Sequence, residues 1–195
     1  MRPLRILFLS NLIEGKGFDT IVEAYCDLNE DLQKMMRIDF AGACESETDK
    51  MKFLRRIDRL PQIHYHGVVE GAEKKDLLSR AHVFCLPTCL SEGQPISILE
   101  AYAAGCVVIT TDRGGIRDVF RDKINGIEVE VKSTRSLKGA FERCIGNPDD
   151  LVRIALRNFN TACEKHRTSH FNSSVMNIIH AVSQKDIRAA GSELT

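Results

Sequence analysis

Glu92 and Glu100, with seven residues between them (93 to 99), lie in the run Ser-Glu-Gly-Gln-Pro-Ile-Ser-Ile-Leu-Glu-Ala-Tyr-Ala-Ala-Gly at residues 91–105 of a 195-residue chain. Pro95 suits a first helical turn and Gly105 a helix stop, so the run reads as a loop entering a helix. Side chains on a helix lean toward its N-terminus, which turns Glu100 toward the mouth that Glu92 edges. Carboxylates accept hydrogen bonds from hydroxyls, and a helix N-terminus attracts anions. The stretch therefore offers acceptors for hydroxyls beside a seat for a phosphate, and Lys16 in Gly15-Lys16-Gly17 adds a positive charge.

The elements that must position these residues alternate. Apolar runs of strand length occur at Leu4 to Ser10, Arg37 to Gly42, Ile63 to Val68, His82 to Leu86, Cys106 to Thr110 and Ile127 to Val131. Between them helical periodicity covers Phe18 to Asn29, Glu45 to Arg59, Glu73 to Arg80, Pro95 to Ala104 and Ile116 to Phe120. The pattern predicts an α/β fold: one doubly wound, Rossmann-like domain of six parallel strands, with ligands at the carboxyl ends of the strands. Three further helices are expected at Thr134 to Ile145, Pro148 to His166 and Thr168 to Gln184. The domain is thus expected to span residues 1–184, with its closing helices at 134–184 and a polar tail at 185–195.

Lys plus Arg and Asp plus Glu both number 27, so no global field points to nucleic acid. The seven cysteines are odd in number, scattered and set in apolar runs, which reads as reduced, buried thiols of a cytoplasmic protein. No run reaches the roughly 20 apolar residues of a membrane span; peripheral membrane contact stays open. Gly15-Lys16-Gly17 lacks the remainder of a P-loop, and no G-x-G-x-x-G follows the first strand, which removes the ATPase and dinucleotide readings. No Asp-x-Asp ends a strand, so neither a metal nor a cofactor is expected, and a diphosphate here would be neutralised by Lys16, Arg113 and helix N-termini.

In order along the chain, Glu14-Gly15-Lys16-Gly17-Phe18-Asp19, His66-Gly67, Ala81 to Thr88, Ser91-Glu92-Gly93 to Glu100-Ala101, Ala103-Ala104-Gly105, Gly114-Gly115-Ile116 and Asn125-Gly126 resemble the group 1 glycosyltransferases, retaining enzymes of the GT-B fold. The resemblance covers roughly the first 145 residues and implies the C-terminal, donor-binding half of such an enzyme. It implies that the chain binds a nucleotide-diphosphate sugar and transfers a hexosyl group to a glycan or lipid-linked acceptor, in surface polysaccharide synthesis. By that resemblance Glu100 holds the ribose diol, Glu92 and Lys16 are catalytic at the donor sugar and diphosphate, and Gly93, Gln94 and Pro95 let the backbone approach sugar and phosphate. His66 would border the base, and Asn11, Gly114 and Gly115 would line the donor site. The acceptor domain, and the acceptor itself, would belong to a missing N-terminal half.

The sequence departs from the family pattern at Ser10-Asn11, where Gly-Arg is usual. Either Lys16 and the helix N-terminus suffice for the diphosphate, which is the preferred reading, or Arg113 substitutes, or activity is reduced. The departure also motivates an alternative, a non-catalytic nucleotide-sugar-binding or partner subunit; an epimerase on the same fold is a lesser one. Individually, Lys16 could be a solvated turn lysine, Glu100 an exposed-face charge, Gly114-Gly115 a turn, and His64 and His66 a packed pair on one strand.

Overall fold

A computed structural model describes residues 3–165. The expected helix at 168–184 and the tail at 185–195 lie outside the described residues. Six parallel strands form one sheet in the order β3-β2-β1-β4-β5-β6. They are β1 (Leu4–Leu9), β2 (Met36–Ala41), β3 (Ile63–Tyr65), β4 (Val83–Leu86), β5 (Val107–Thr110) and β6 (Gly126–Glu128). The helices are α1 (Phe18–Cys26), α2 (Glu30–Lys34), α3 (Glu47–Ile57), α4 (Gly71–Arg80), α5 (Ile96–Ala103), α6 (Ile116–Val119), α7 (Thr134–Gly146) and α8 (Pro148–Lys165). The chain is a doubly wound α/β domain, and its strand order reverses direction between β1 and β4, which opens a crevice at their carboxyl ends.

The strands are continuous apolar runs because both faces are covered. Ile6, Phe8, Ile38, Phe40, Val83, Phe84 and Val107 have no exposed surface. Phe8, Phe18, Phe40, Phe53 and Tyr65 form a chain of aromatic contacts on one side of the sheet, with centroid separations such as 5.2 Å for Phe40 and Phe53. Cys85, Cys106 and Cys144 are buried free thiols, and burial pushes the last two up to about 12.

Several boundaries differ from the sequence reading. The first helix ends at Cys26, and a separate turn of helix, α2, follows, capped by Asn29 through its side chain to the Leu32 N–H at 2.9 Å. Pro95 is the cap of α5 rather than its first helical residue. β3 ends at Tyr65 instead of Val68, although the His66 N–H extends the ladder by one bond to Phe40 O at 2.9 Å. β6 runs Gly126–Glu128, starting and ending earlier than expected.

Helix α8 is fastened to the sheet by amides. Asn158 is fully buried; its Nδ2 donates to Cys106 O at 2.8 Å and Asn125 O at 2.9 Å, and its Oδ1 accepts from Asn125 Nδ2 at 3.0 Å. Removing this side chain leaves Cys106 O, Asn125 O and Asn125 Nδ2 without the partner it supplies. Asn158→Ala is therefore expected to lower the unfolding free energy by about 2–4 kcal/mol, read from urea denaturation.

Candidate donor-binding site

Two loops meet at the carboxyl ends of β1 and β4. Gly17, with φ 89°, caps α1, and a Cβ there would run into the carbonyl of Pro87 at the end of β4. Gly15 O accepts from the Cys89 N–H at 2.7 Å. Only a glycine-flanked turn permits this approach, and it delivers Lys16 to Glu92: Nζ lies 2.7 and 2.8 Å from the two carboxylate oxygens. The side chains are 18% and 11% exposed, so the pair is largely withdrawn from water.

Thr88, the last residue of the Ala81 to Thr88 stretch, completes this arrangement, a role its sequence position does not announce. Its fully buried hydroxyl lies 2.8 Å from Glu92 Oε1 and 3.2 Å from Gly15 O, and accepts from the Leu90 N–H at 3.1 Å. One hydroxyl proton cannot serve both acceptors at once, and the shorter contact to the charged oxygen is the stronger. A third loop supports Glu92 from behind. The Gly115 N–H donates to Glu92 O at 2.8 Å, and Gly114, at φ 59°, has no room for a Cβ because the Glu92 backbone occupies that space. Arg113 is exposed and donates from Nε to Cys89 O at 3.1 Å.

Beside this junction lies a cleft of about 350 Å³, bordered by Ser10 and Asn11 after β1, Gly42 and Ala43 after β2, Val68 and Val69 after β3, and Ile96, Ser97 and Glu100 of α5. Asn11 Oδ1 accepts from the Ala43 N–H at 3.3 Å, and the Tyr65 hydroxyl, which burial pushes up to about 12, donates to Gly42 O at 2.8 Å. Glu100 is one-third exposed and pairs with Lys74 of α4 at 2.7 Å. The two glutamates thus engage different lysines.

The structure brings Lys16 and Glu92 together and places Asn11 and Glu100 on the cleft. Gly93 and Gln94 are exposed in the loop before α5 and, with Pro95, are not among the cleft-lining residues. Gly114 and Gly115 press against the Glu92 and Gly93 backbone. His66 is not among the cleft-lining residues either; its Nε2 sits 2.8 Å from Asp39 Oδ1, and Arg37 flanks the same carboxylate at 3.1 Å. Lys74 and Thr88 are the residues that sequence reasoning missed. Among the described residues, no group of three or more His, Cys, Asp and Glu could hold a metal ion, and no helix is long and apolar enough to cross a membrane.

Asp39 carries a consequence for acid stability. Burial pulls its carboxyl upward, but hydrogen bonds and charge from Arg37 and His66 outweigh that and hold it below the ordinary carboxylate range. A depressed folded-state pKa stabilises the fold above the unfolded value of about 3.9, and that contribution is lost as pH falls below it toward the folded value. Unfolding free energy measured between pH 6 and pH 2 is expected to show this loss, and Asp39→Asn to remove that part of the pH dependence.

Residues 1–160 match the family described as Glycosyl transferases group 1. The chain belongs to this family. It is 24% identical over 160 residues to the amylovoran biosynthesis glycosyltransferase AmsK of Erwinia amylovora, covering 80% of this chain and 39% of that one. It is 26% identical over 184 residues to the putative colanic acid biosynthesis glycosyltransferase WcaL of Escherichia coli, covering 90% of this chain and 43% of that one. The chain therefore spans about two fifths of the length of these relatives.

Among solved structures, Anabaena Alr3699/HepE in complex with UDP and glucose superposes with a TM-score of 0.81 at 18% identity, covering 92% of this chain and 49% of that one. The C-terminal domain of the group 1 family protein LpcC of Francisella tularensis superposes with a TM-score of 0.72 at 20% identity, covering 86% of this chain and 89% of that domain. The fold is that of the C-terminal half of GT-B glycosyltransferases.

Proposed function

We propose that this chain is the donor-binding half of a retaining glycosyltransferase that takes a hexosyl group from a nucleotide-diphosphate sugar. The observation that carries the reading is the cleft at the strand-order reversal, with Glu100 on its wall and the Lys16–Glu92 pair on the adjoining loops. A nucleoside in the cleft would give its ribose diol to Glu100 and direct its diphosphate toward Lys16. The ammonium then offsets charge on the departing diphosphate, while Glu92, released from part of its contact with Lys16, faces positive charge at the anomeric carbon. In the transfer the bond from the anomeric carbon to the diphosphate oxygen breaks, a bond to an acceptor hydroxyl oxygen forms, and the hydroxyl proton leaves with the diphosphate.

The polysaccharide-building roles named for AmsK and WcaL support a glycan acceptor; in this reading the acceptor, glycan or lipid-linked, is held by a separate N-terminal half, and the reaction runs at a cytoplasmic site in peripheral contact with the membrane. No metal takes part in this reading; Lys16 is the cation nearest Glu92, and Arg113 borders the same loop. Calorimetric titration with UDP, GDP and ADP tests it. Binding of at least one with a dissociation constant below millimolar is expected, and no heat from any of the three at millimolar concentration overturns the donor assignment.

Asn11 favours a second reading, a non-catalytic binding subunit. Its side chain is tied to the Ala43 N–H, and it brings no charge to the position where the family pattern has arginine. Sugar transfer by the chain combined with an acceptor half, abolished by Glu92→Gln in a folded protein, eliminates that reading.

A further inference from the structure

The cleft wall carries a charged group to which the donor reading gives no role. Lys74 lies in the first turn of α4, which starts at Gly71 with φ 53°, and reaches across to α5. Its Nζ donates to Glu100 Oε1 at 2.7 Å, and both side chains are 33% exposed. Among the described residues the Glu100 carboxylate takes no other hydrogen bond, and Lys74 Nζ makes no other.

A one-third-exposed glutamate on a helix has several rotamers open to it, and holding one of them costs side-chain entropy. An ammonium on one oxygen selects the rotamer in advance. The carboxylate has about four acceptor sites, so Lys74 uses one and leaves Oε2 and a lone pair of Oε1 for other donors. Two hydroxyls on adjacent carbons are one pair of donors whose spacing fits a carboxylate's two oxygens, and in the donor reading the ribose supplies them.

We propose that Lys74 is a positioning residue for nucleoside recognition: it clamps Glu100 so that the carboxylate is presented to a vicinal diol, giving the cleft its preference for ribose over deoxyribose. The proposal rests on the donor reading above. Lys74 acts through Glu100 and touches neither the diphosphate nor the sugar that is transferred. Because the pair is partly exposed, its worth is modest, on the order of a twofold to fivefold change in affinity.

The test uses whichever of UDP, GDP and ADP the chain binds most tightly, together with its 2′-deoxy counterpart. Calorimetry is run on the unaltered chain, Lys74→Met, Lys74→Arg, Glu100→Gln and the Lys74→Met/Glu100→Gln double variant. Lys74→Met is expected to weaken the ribonucleotide about twofold to fivefold and to leave the deoxynucleotide nearly unchanged, so the ribose preference shrinks. Lys74→Arg is expected to restore most of that preference, and the double variant to bind no more weakly than Glu100→Gln alone, since a residue acting through another adds nothing once the other is gone. Lys74 is exposed enough that the fold survives its loss, which circular dichroism checks. Unchanged or tighter ribonucleotide binding by Lys74→Met, equal losses for both nucleotides, or additive losses in the double variant would each overturn the proposal. If the unaltered chain binds none of the three nucleotides, the donor assignment itself falls, and the two failures remain distinct.

Discussion

Lys16→Met is expected to weaken binding of a nucleoside diphosphate by about tenfold to a hundredfold, the usual worth of a charge-assisted contact to phosphate. The same substitution is expected to destabilise the unliganded chain by about 1–3 kcal/mol, because Glu92, 11% exposed, is left with only the Thr88 hydroxyl against its charge. These two effects separate in the double variant. Adding Glu92→Gln removes the stranded charge, so Lys16→Met/Glu92→Gln is expected to recover most of the stability while nucleotide binding stays weak. Urea unfolding and calorimetry on the same samples read both quantities. Recovery of binding together with stability would show that Lys16 serves only the fold.

Gly114→Ala is the second substitution with a large expected effect. A left-handed backbone at φ 59° disfavours any residue with a Cβ, and this Cβ would enter space held by the Glu92 main chain. The loop must retreat, breaking the bond from the Gly115 N–H to Glu92 O. Stability is expected to fall by about 2–3 kcal/mol, and nucleotide affinity about tenfold as Glu92 and its partner Lys16 shift. Gly139→Ala is the control: it sits within α7 with nothing near its Cβ position, and it should stabilise slightly or leave the chain unchanged.

Much of the fold was legible because the physics is local to each element. Ile6 to Phe8 and Val83 to Leu86 are unbroken apolar runs, which only a doubly covered strand requires, and the helices between them carry clear amphipathic spacing. α2 was not legible: five residues with none buried leave no periodic trace, and Asn29 is its one local signal. In the site, Lys16 and Glu92 were nameable through the family resemblance, but the reason for the glycines was not. Gly114 and Gly115 read as a turn or as room for a ligand; they also make room for another loop's backbone, a contact between residues more than 20 positions apart.

Thr88 and Lys74 escaped for a related reason. A hydroxyl after a strand, or a lysine near a helix start, is ordinary in sequence, and its meaning comes from a partner that only the crossover topology supplies. His66 shows the reverse. Its alternation with His64 was visible, yet β3 stops at Tyr65 and the ring turns to a carboxylate buried on the neighbouring strand.

Gly15, Gly17, Pro87, Cys89, Glu92 and Gly115 are joined largely main chain to main chain, so three crossovers are welded into one block around Lys16. Redesign of the chain meets a divided canvas. Inside the weld, a side-chain exchange moves backbone and takes the lysine with it. On the rim of the cleft, Val68 and Ile96 are 64% and 70% exposed. Those two positions allow the cleft lining to be rewritten, in size or polarity, while the ammonium stays where the weld put it.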